Sequence, residues 1–176
     1  MNTIGLVAIF KNEAIILKEW LDHYINEGVN KFYLINNGST DNFFEIIKDY
    51  NNVLLVNDSK KHSQSELYNK HFYNICKCEC KWTLICDLDE FIYARKDYNK
   101  ISDYLNSLNE SVGQVKIPWK MFGSNGLIKQ PNSVIEKFRK RQLYKKNKLI
   151  LCKSIVNMKY CTRFDIHESF VDSKSN

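Results

Sequence analysis

Proline and glycine are scarce, with two and six residues in a chain of 176. Long flexible linkers are therefore not expected, and one domain accounts for the length. No apolar run approaches the roughly 18 residues of a membrane-crossing helix. Met1-Asn2-Thr3 passes straight into a strand-like segment, without the charged and apolar regions of a secretion signal. A soluble cytoplasmic protein is expected, associated at most with the cytoplasmic face of a membrane. Six cysteines occur, but Cys76, Cys78 and Cys80 alternate with other residues and do not form the paired CxxC spacing of a zinc site. They read as free thiols, with Cys86, Cys152 and Cys161 as small buried apolar side chains.

What is present is a globular composition, 44% hydrophobic and 13% aromatic. The net charge of +6 favours anionic partners. Ile4 to Phe10 is a nearly continuous apolar run, as in a strand buried on both faces. Ile16, Leu17, Trp20, Leu21, Tyr24 and Ile25 then recur at helical spacing, and Gly28 supplies a left-handed stop. Strands are expected at Phe32–Ile35, Val53–Val56, Trp82–Cys86 and Gln114–Pro118. Helices are expected at Phe43–Tyr50, Ser65–Cys78 and Ile101–Leu108. This alternation predicts an α/β fold with a parallel sheet and helices on its faces. Residues 119–135 read as a long loop, Lys137 to Lys148 as a basic run, and Leu149–Cys152 and Ser154–Met158 as late strands. The domain is placed at residues 1–172, with a polar tail over 173–176.

The strongest chemical feature is Cys86-Asp87-Leu88-Asp89-Glu90-Phe91. Three carboxylates within four positions at the end of an apolar strand are costly without a compensating cation. On extended backbone Asp87 and Asp89 face the same side. A hard divalent ion, Mn²⁺ or Mg²⁺, satisfies such oxygens and leaves sites for a diphosphate. An acidic loop without metal remains the alternative.

Around this motif stand Ile9-Phe10-Lys11-Asn12-Glu13, Lys18-Glu19-Trp20-Leu21-Asp22-His23-Tyr24, Asn36-Asn37-Gly38-Ser39-Thr40-Asp41, and Trp119-Lys120-Met121-Phe122-Gly123-Ser124-Asn125-Gly126. In that order and at that spacing, the series resembles the glycosyltransferase family 2-like and family 92 enzymes over roughly residues 4–170. The resemblance implies a GT-A fold with a mixed, mostly parallel sheet, a nucleotide-diphosphate sugar as donor (a UDP-sugar first) and Mn²⁺ or Mg²⁺. It places Lys11, Asn12 and Glu13 against the nucleoside, and Asn36, Asn37, Ser39 and Asp41 at the base or ribose. Relatives often carry Asp where Asn36 stands. Gln64 and Tyr68 fall where donor-contacting residues do. Asp87 and Asp89 match the metal motif, with Asp89 the direct ligand, and a late histidine, His167, would complete the metal site.

Direct transfer with inversion needs a base for the acceptor hydroxyl. Glu168 is the first candidate, beside Asp165 and Glu136. Trp119, Gly123, Ser124 and Asn125 suit a sugar pocket, since aromatic faces pack on sugar rings and glycine admits close backbone approach. Structural roles compete at several positions: Asn37-Gly38 is a good turn, Asp41 could cap the following helix, and Glu13 could serve a helix dipole. The acceptor is expected to be a glycan or a lipid-linked sugar. An anionic membrane could attract Lys137, Arg139, Lys140, Arg141, Lys145, Lys146 and Lys148. The other readings are a minimal sugar-nucleotide-binding remnant, a nucleic-acid-binding module and a metal-dependent hydrolase. Nucleic acid is not expected, because clustered carboxylates repel its backbone.

Overall fold

Alternate residues of the first strand enter different apolar layers, and this sets the architecture. In β1 (Ile4–Phe10), Ile4, Leu6, Ala8 and Phe10 belong to one core cluster, while Val7 and Ile9 belong to a second on the opposite face. A strand buried on both sides needs helices above and below it. The computed structural model describes residues 3–143 and 151–172. It shows six strands in the order β3-β2-β1-β4-β6-β5, where β2 is Lys31–Asn36, β3 Val53–Asn57, β4 Trp82–Ile85, β5 Gln114–Pro118 and β6 Cys152–Asn157. The pairs β1–β2, β1–β4 and β2–β3 are parallel; β6 runs antiparallel to both β4 and β5. The sheet is thus mixed and mostly parallel, flanked by helices, in a single domain.

One face carries α1 (Ala14–Asn26), α2 (Phe43–Ile47) and α5 (Ile101–Ser107), whose Trp20, Tyr24, Phe43 and Leu105 pack with Phe32, Leu34 and Leu84 of the sheet. Full burial of such a side chain contributes about 1.5–3 kcal/mol. Gly28 ends α1 at φ +94°, and a Cβ there would lie 2.4 Å from Ser102 Oγ, so glycine is required both by conformation and by space. The other face carries α3 (Gln64–Tyr68) and α4 (Asn74–Glu79), which contribute Leu67, Tyr68 and Cys76. A short α6 (Val134–Lys137) lies between β5 and β6, and β7 (Cys161–Arg163) pairs with β8 (Phe170–Val171).

Three expectations change. The helix expected over Ser65–Cys78 is interrupted by a π-helical turn at Asn69–Tyr73. The late strands are, within the described residues, one strand that runs through Lys153; positions 149 and 150 lie outside them. Cys152 is half-buried, whereas Cys86 and Cys161 are buried. Tyr144, Lys145, Lys146, Lys148 and the tail at 173–176 also lie outside the described residues. Among the described residues no helix is long and apolar enough to cross a membrane.

Candidate functional site

The strand order changes direction at β1: the chain first adds β2 and β3 on one side, then β4 on the other. In open α/β sheets, ligands bind beyond the carboxyl ends of the strands at such a switch point. Here Ile9, Phe10, Lys11 and Glu13 from the end of β1 meet Asp87, Leu88 and Asp89 from the end of β4, with Gln64 of α3 beside them. The cleft continues past Lys11 and Gln64 to Asn37, Lys60, His62, Ser63 and Ile166.

The two loops above β1 and β2 clasp each other. Asn12, held at φ 58°, donates its N–H to Ser39 Oγ at 2.9 Å, while its Oδ1 accepts the Thr40 N–H at 2.8 Å. Asp41 Oδ2 accepts the Ala14 N–H at 2.8 Å. Asp41 therefore caps α1, across the loop pair, and not the helix that follows it in sequence. Asn36 Oδ1 accepts the Ser39 N–H, and its Nδ2 donates to Asn57 Oδ1. Asn37 Nδ2 donates to the carbonyls of Asp58 and Lys60. Much of this polar turn chemistry thus builds the rim of the cleft.

The acidic loop after β4 is held from α1. Trp20, fully buried, donates its indole N–H to the Asp87 carbonyl at 3.1 Å. One turn later the Tyr24 hydroxyl donates to the Glu90 carbonyl and accepts the Ile92 N–H. His23 of α1 bonds the Ile92 carbonyl at 2.7 Å and packs on Phe91. The helical spacing of these three residues brings all their polar tips to one loop. Leu88 is buried, which turns its neighbours Asp87 and Asp89 toward the cleft.

Asp87 is fully engaged. Its Oδ1 accepts from Gln64 Nε2 at 2.9 Å and its Oδ2 from Lys153 Nζ at 2.6 Å. The Lys153 side chain is only 2% exposed, lies 3.4 Å from Glu90 Oε2, and donates to the Ile166 carbonyl at 3.2 Å. Burial alone would draw this ammonium down; the bond and charge of Asp87, with Glu90, outweigh it and hold the pKa above the ordinary lysine value. Burial pushes the Glu90 carboxyl up, with Lys153 opposing. Asp89 is exposed and has no hydrogen-bond or ion-pair partner among the described residues. Burial also raises Glu13, and the like charges of Asp89 and Asp41 add to the effect.

The cleft therefore collects Lys11, Glu13, Asn37, Gln64, Asp87 and Asp89 from the residues expected at the site. Asn12, Asn36, Ser39 and Asp41 support its rim. Tyr68 is fully buried and accepts from Gln64 Nε2 at 2.7 Å, behind the cleft wall. His167 packs against Trp119 at 5.4 Å, and His167 Nδ1 and Trp119 Nε1 are buried without partners. The Lys153 ammonium sits 5.8 Å from the Trp119 ring. Gly123, Ser124 and Asn125 lie in an exposed turn outside the residues that line the cleft. Glu168 is ion-paired with Lys116 and also lies off that lining, and Glu136 is exposed. Lys153, Lys60 and His62 were not among the sequence candidates. A charged residue inside an apolar strand was the available sign for Lys153; the other two carry no sign beyond their loop.

Among the described residues no three His, Cys, Asp or Glu side chains gather as a metal cage. The donor chemistry nonetheless fits a hard divalent ion. Mg²⁺-like ions are commonly held by one or two carboxylates, with waters and substrate phosphates completing the shell. Asp89 offers such a carboxylate, facing a cleft that Glu13 makes still more electronegative.

A mixed six-stranded sheet of this order, with its cleft beyond β1 and β4, gives the chain a GT-A-like fold, that of the nucleotide-diphospho-sugar transferases. Its fold is similar to that of 4-diphosphocytidyl-2C-methyl-D-erythritol synthase from Anaerococcus prevotii, with a TM-score of 0.53, 11% identity, and coverage of 90% of this chain and 72% of that one. The chain matches the family model of glycosyltransferase family 92 over residues 6–175 and belongs to that family. It is 26% identical over 135 residues to a family 92 protein of Ricinus communis, covering 69% of this chain. With a family 92 protein of Oryza sativa subsp. japonica it shares 23% over 137 residues, 74% of this chain. The match spans 23% of the length of each of these two relatives.

Proposed function

We propose that this chain is the donor-binding domain of a metal-dependent glycosyltransferase that moves a sugar from a nucleotide diphosphate, UDP first, to a hydroxyl of a glycan or lipid-linked acceptor. The observation that carries this reading is the meeting of Lys11, Glu13, Gln64, Asp87 and Asp89 in one cleft at the switch point of a family 92 chain.

In this reading the nucleoside lies over the end of β1, between Lys11 and Asn37. Lys11 and Lys60 offset the diphosphate charge. Asp89 would hold Mn²⁺ or Mg²⁺, whose chemistry is to neutralise charge on the departing diphosphate. Asp87, fixed by Lys153 and Gln64, keeps the loop in place beneath it. Inversion requires a base on the acceptor side. Glu168 can serve only when its pairing with Lys116 opens, because that pairing holds the carboxylate away from the cleft lining.

The test is a thermal-shift screen of UDP, GDP, CMP and their sugar conjugates, each with and without Mn²⁺. A ligand bound only by the folded state at 100 times its Kd raises stability by about 2.7 kcal/mol. A shift for one nucleotide that needs Mn²⁺ supports the reading and names the base. No shift for any nucleotide removes it.

A further inference from the structure

The charge of this protein is concentrated in one segment. Residues 119–143, between β5 and β6, hold six basic residues and one acidic residue, so +5 of the chain's net +6 resides there. The rest of the chain is close to neutral. The same segment exposes Met121, Phe122, Leu127, Ile128, Ile135 and Leu143, with Ile128 100% and Leu143 85% accessible. Aliphatic side chains standing in water among lysines and arginines are costly, and such patches mark interaction surfaces.

The segment is braced at several points. The Trp119 N–H donates to the Leu151 carbonyl at 2.9 Å, the Gln142 N–H to the Met121 carbonyl at 2.8 Å, and the Gly123 N–H to the Lys140 carbonyl at 3.0 Å. Phe122 and Arg141 form an antiparallel bridge. Glu19 of α1 accepts from the Ser133 hydroxyl and from the Val134 N–H, the latter at 2.9 Å. The exposed apolar tips are therefore carried on an arm tied to the sheet and to α1.

We propose that this arm docks on an anionic lipid bilayer. Long cationic side chains place their charge at lipid phosphates while their stems, and the aliphatic tips between them, enter the headgroup boundary. A nucleic acid would use the cations but would gain nothing from Ile128 or Leu143, since its backbone contacts are electrostatic. The proposal is independent of the sugar-transfer reading, because none of the residues it uses lines the cleft.

The test is flotation of the full chain with phosphatidylcholine vesicles, with and without phosphatidylglycerol. The expected result is salt-sensitive binding to the anionic vesicles only. Each of Lys137, Arg139, Lys140 and Arg141 changed to Gln should lower the partition coefficient about five-fold, the equivalent of ~1 kcal/mol per cation near the surface. Ile128→Asp with Leu143→Asp should lower it about ten-fold or more, since buried apolar groups are lost. These positions are exposed, so melting temperatures should match the unaltered protein. Equal binding to neutral vesicles, binding that survives all these changes, or no vesicle binding would each overturn the proposal. So would displacement from vesicles by DNA together with tighter binding to DNA, which would make the arm a nucleic-acid surface.

Discussion

The ammonium of Lys153 lies 2.6 Å from Oδ2 of Asp87, and the lysine side chain is 2% exposed. One strand of the sheet thereby reaches under the acidic loop of its neighbour and neutralises it from below. Two of the three clustered carboxylates, Asp87 and Glu90, are thus compensated within the protein, and Asp89 is left to face the cleft.

Replacing Lys153 with Met should leave Asp87 and Glu90 without their counter-charge. The expected loss is about 2–3 kcal/mol by urea denaturation, below the roughly 3–5 kcal/mol of a fully buried pair because the Asp87 side chain stays 34% exposed. Adding Asp87→Asn should recover part of it. The folded pKa lies above the ordinary value, so the contribution is complete at neutral pH and is lost as pH rises through that folded value, in strongly alkaline solution. A neutral effect of Lys153→Met would contradict the assigned pairing.

Glu13 should behave in the opposite sense. The folded state holds its proton more tightly than the unfolded chain does. Its charge therefore costs stability above the ordinary glutamate range, near pH 4.3, and costs nothing below it. Glu13→Gln should raise Tm at neutral pH without metal, and the gain should vanish in acid. Scanning calorimetry across pH checks this; a lower Tm at neutral pH would contradict it.

Asp41 caps α1 from the neighbouring loop, so Asp41→Ala should cost about 1 kcal/mol, in the range of a lost N-cap. Asp41→Asn should retain most of that, since its Oδ1 can accept the same N–H. Denaturant midpoints of the two variants distinguish a cap from a repulsive carboxylate, whose removal would raise the midpoint.

Much of the sheet was legible because parallel strands buried on both faces read as short apolar runs, and β1 falls where that pattern puts it; β5, an antiparallel edge strand with no buried residue, also keeps its expected bounds. The acidic loop was legible for the same reason, three charges ending an apolar strand. Lys153 was not, because a lysine in the run Leu151-Cys152-Lys153-Ser154-Ile155 reads as a break between strands. Only the fold supplies the carboxylates that make its burial tolerable. The apolar stripe of α1 puts Trp20 in the core, where it is buried, but gives no sign of the bonds that its indole N–H and the neighbouring His23 ring make. Their polar tips acquire meaning only when α1 is laid against the loop after β4. The structural role that the sequence offers Asp41, a cap for the helix that follows, falls on α1 instead, because capping is sought along the chain whereas here the two loops exchange bonds across space.

The central claim is that Asp89 faces a nucleotide-diphosphate site and holds its metal. Calorimetric titration of UDP into the protein and into Asp89→Ala, with Mn²⁺ and with chelator, tests it most directly. The account predicts binding that weakens about ten-fold or more, ~1.4 kcal/mol, on chelation or in the variant, while the variant melts as the unaltered protein does. Full Mn²⁺-dependent affinity in Asp89→Ala would contradict it.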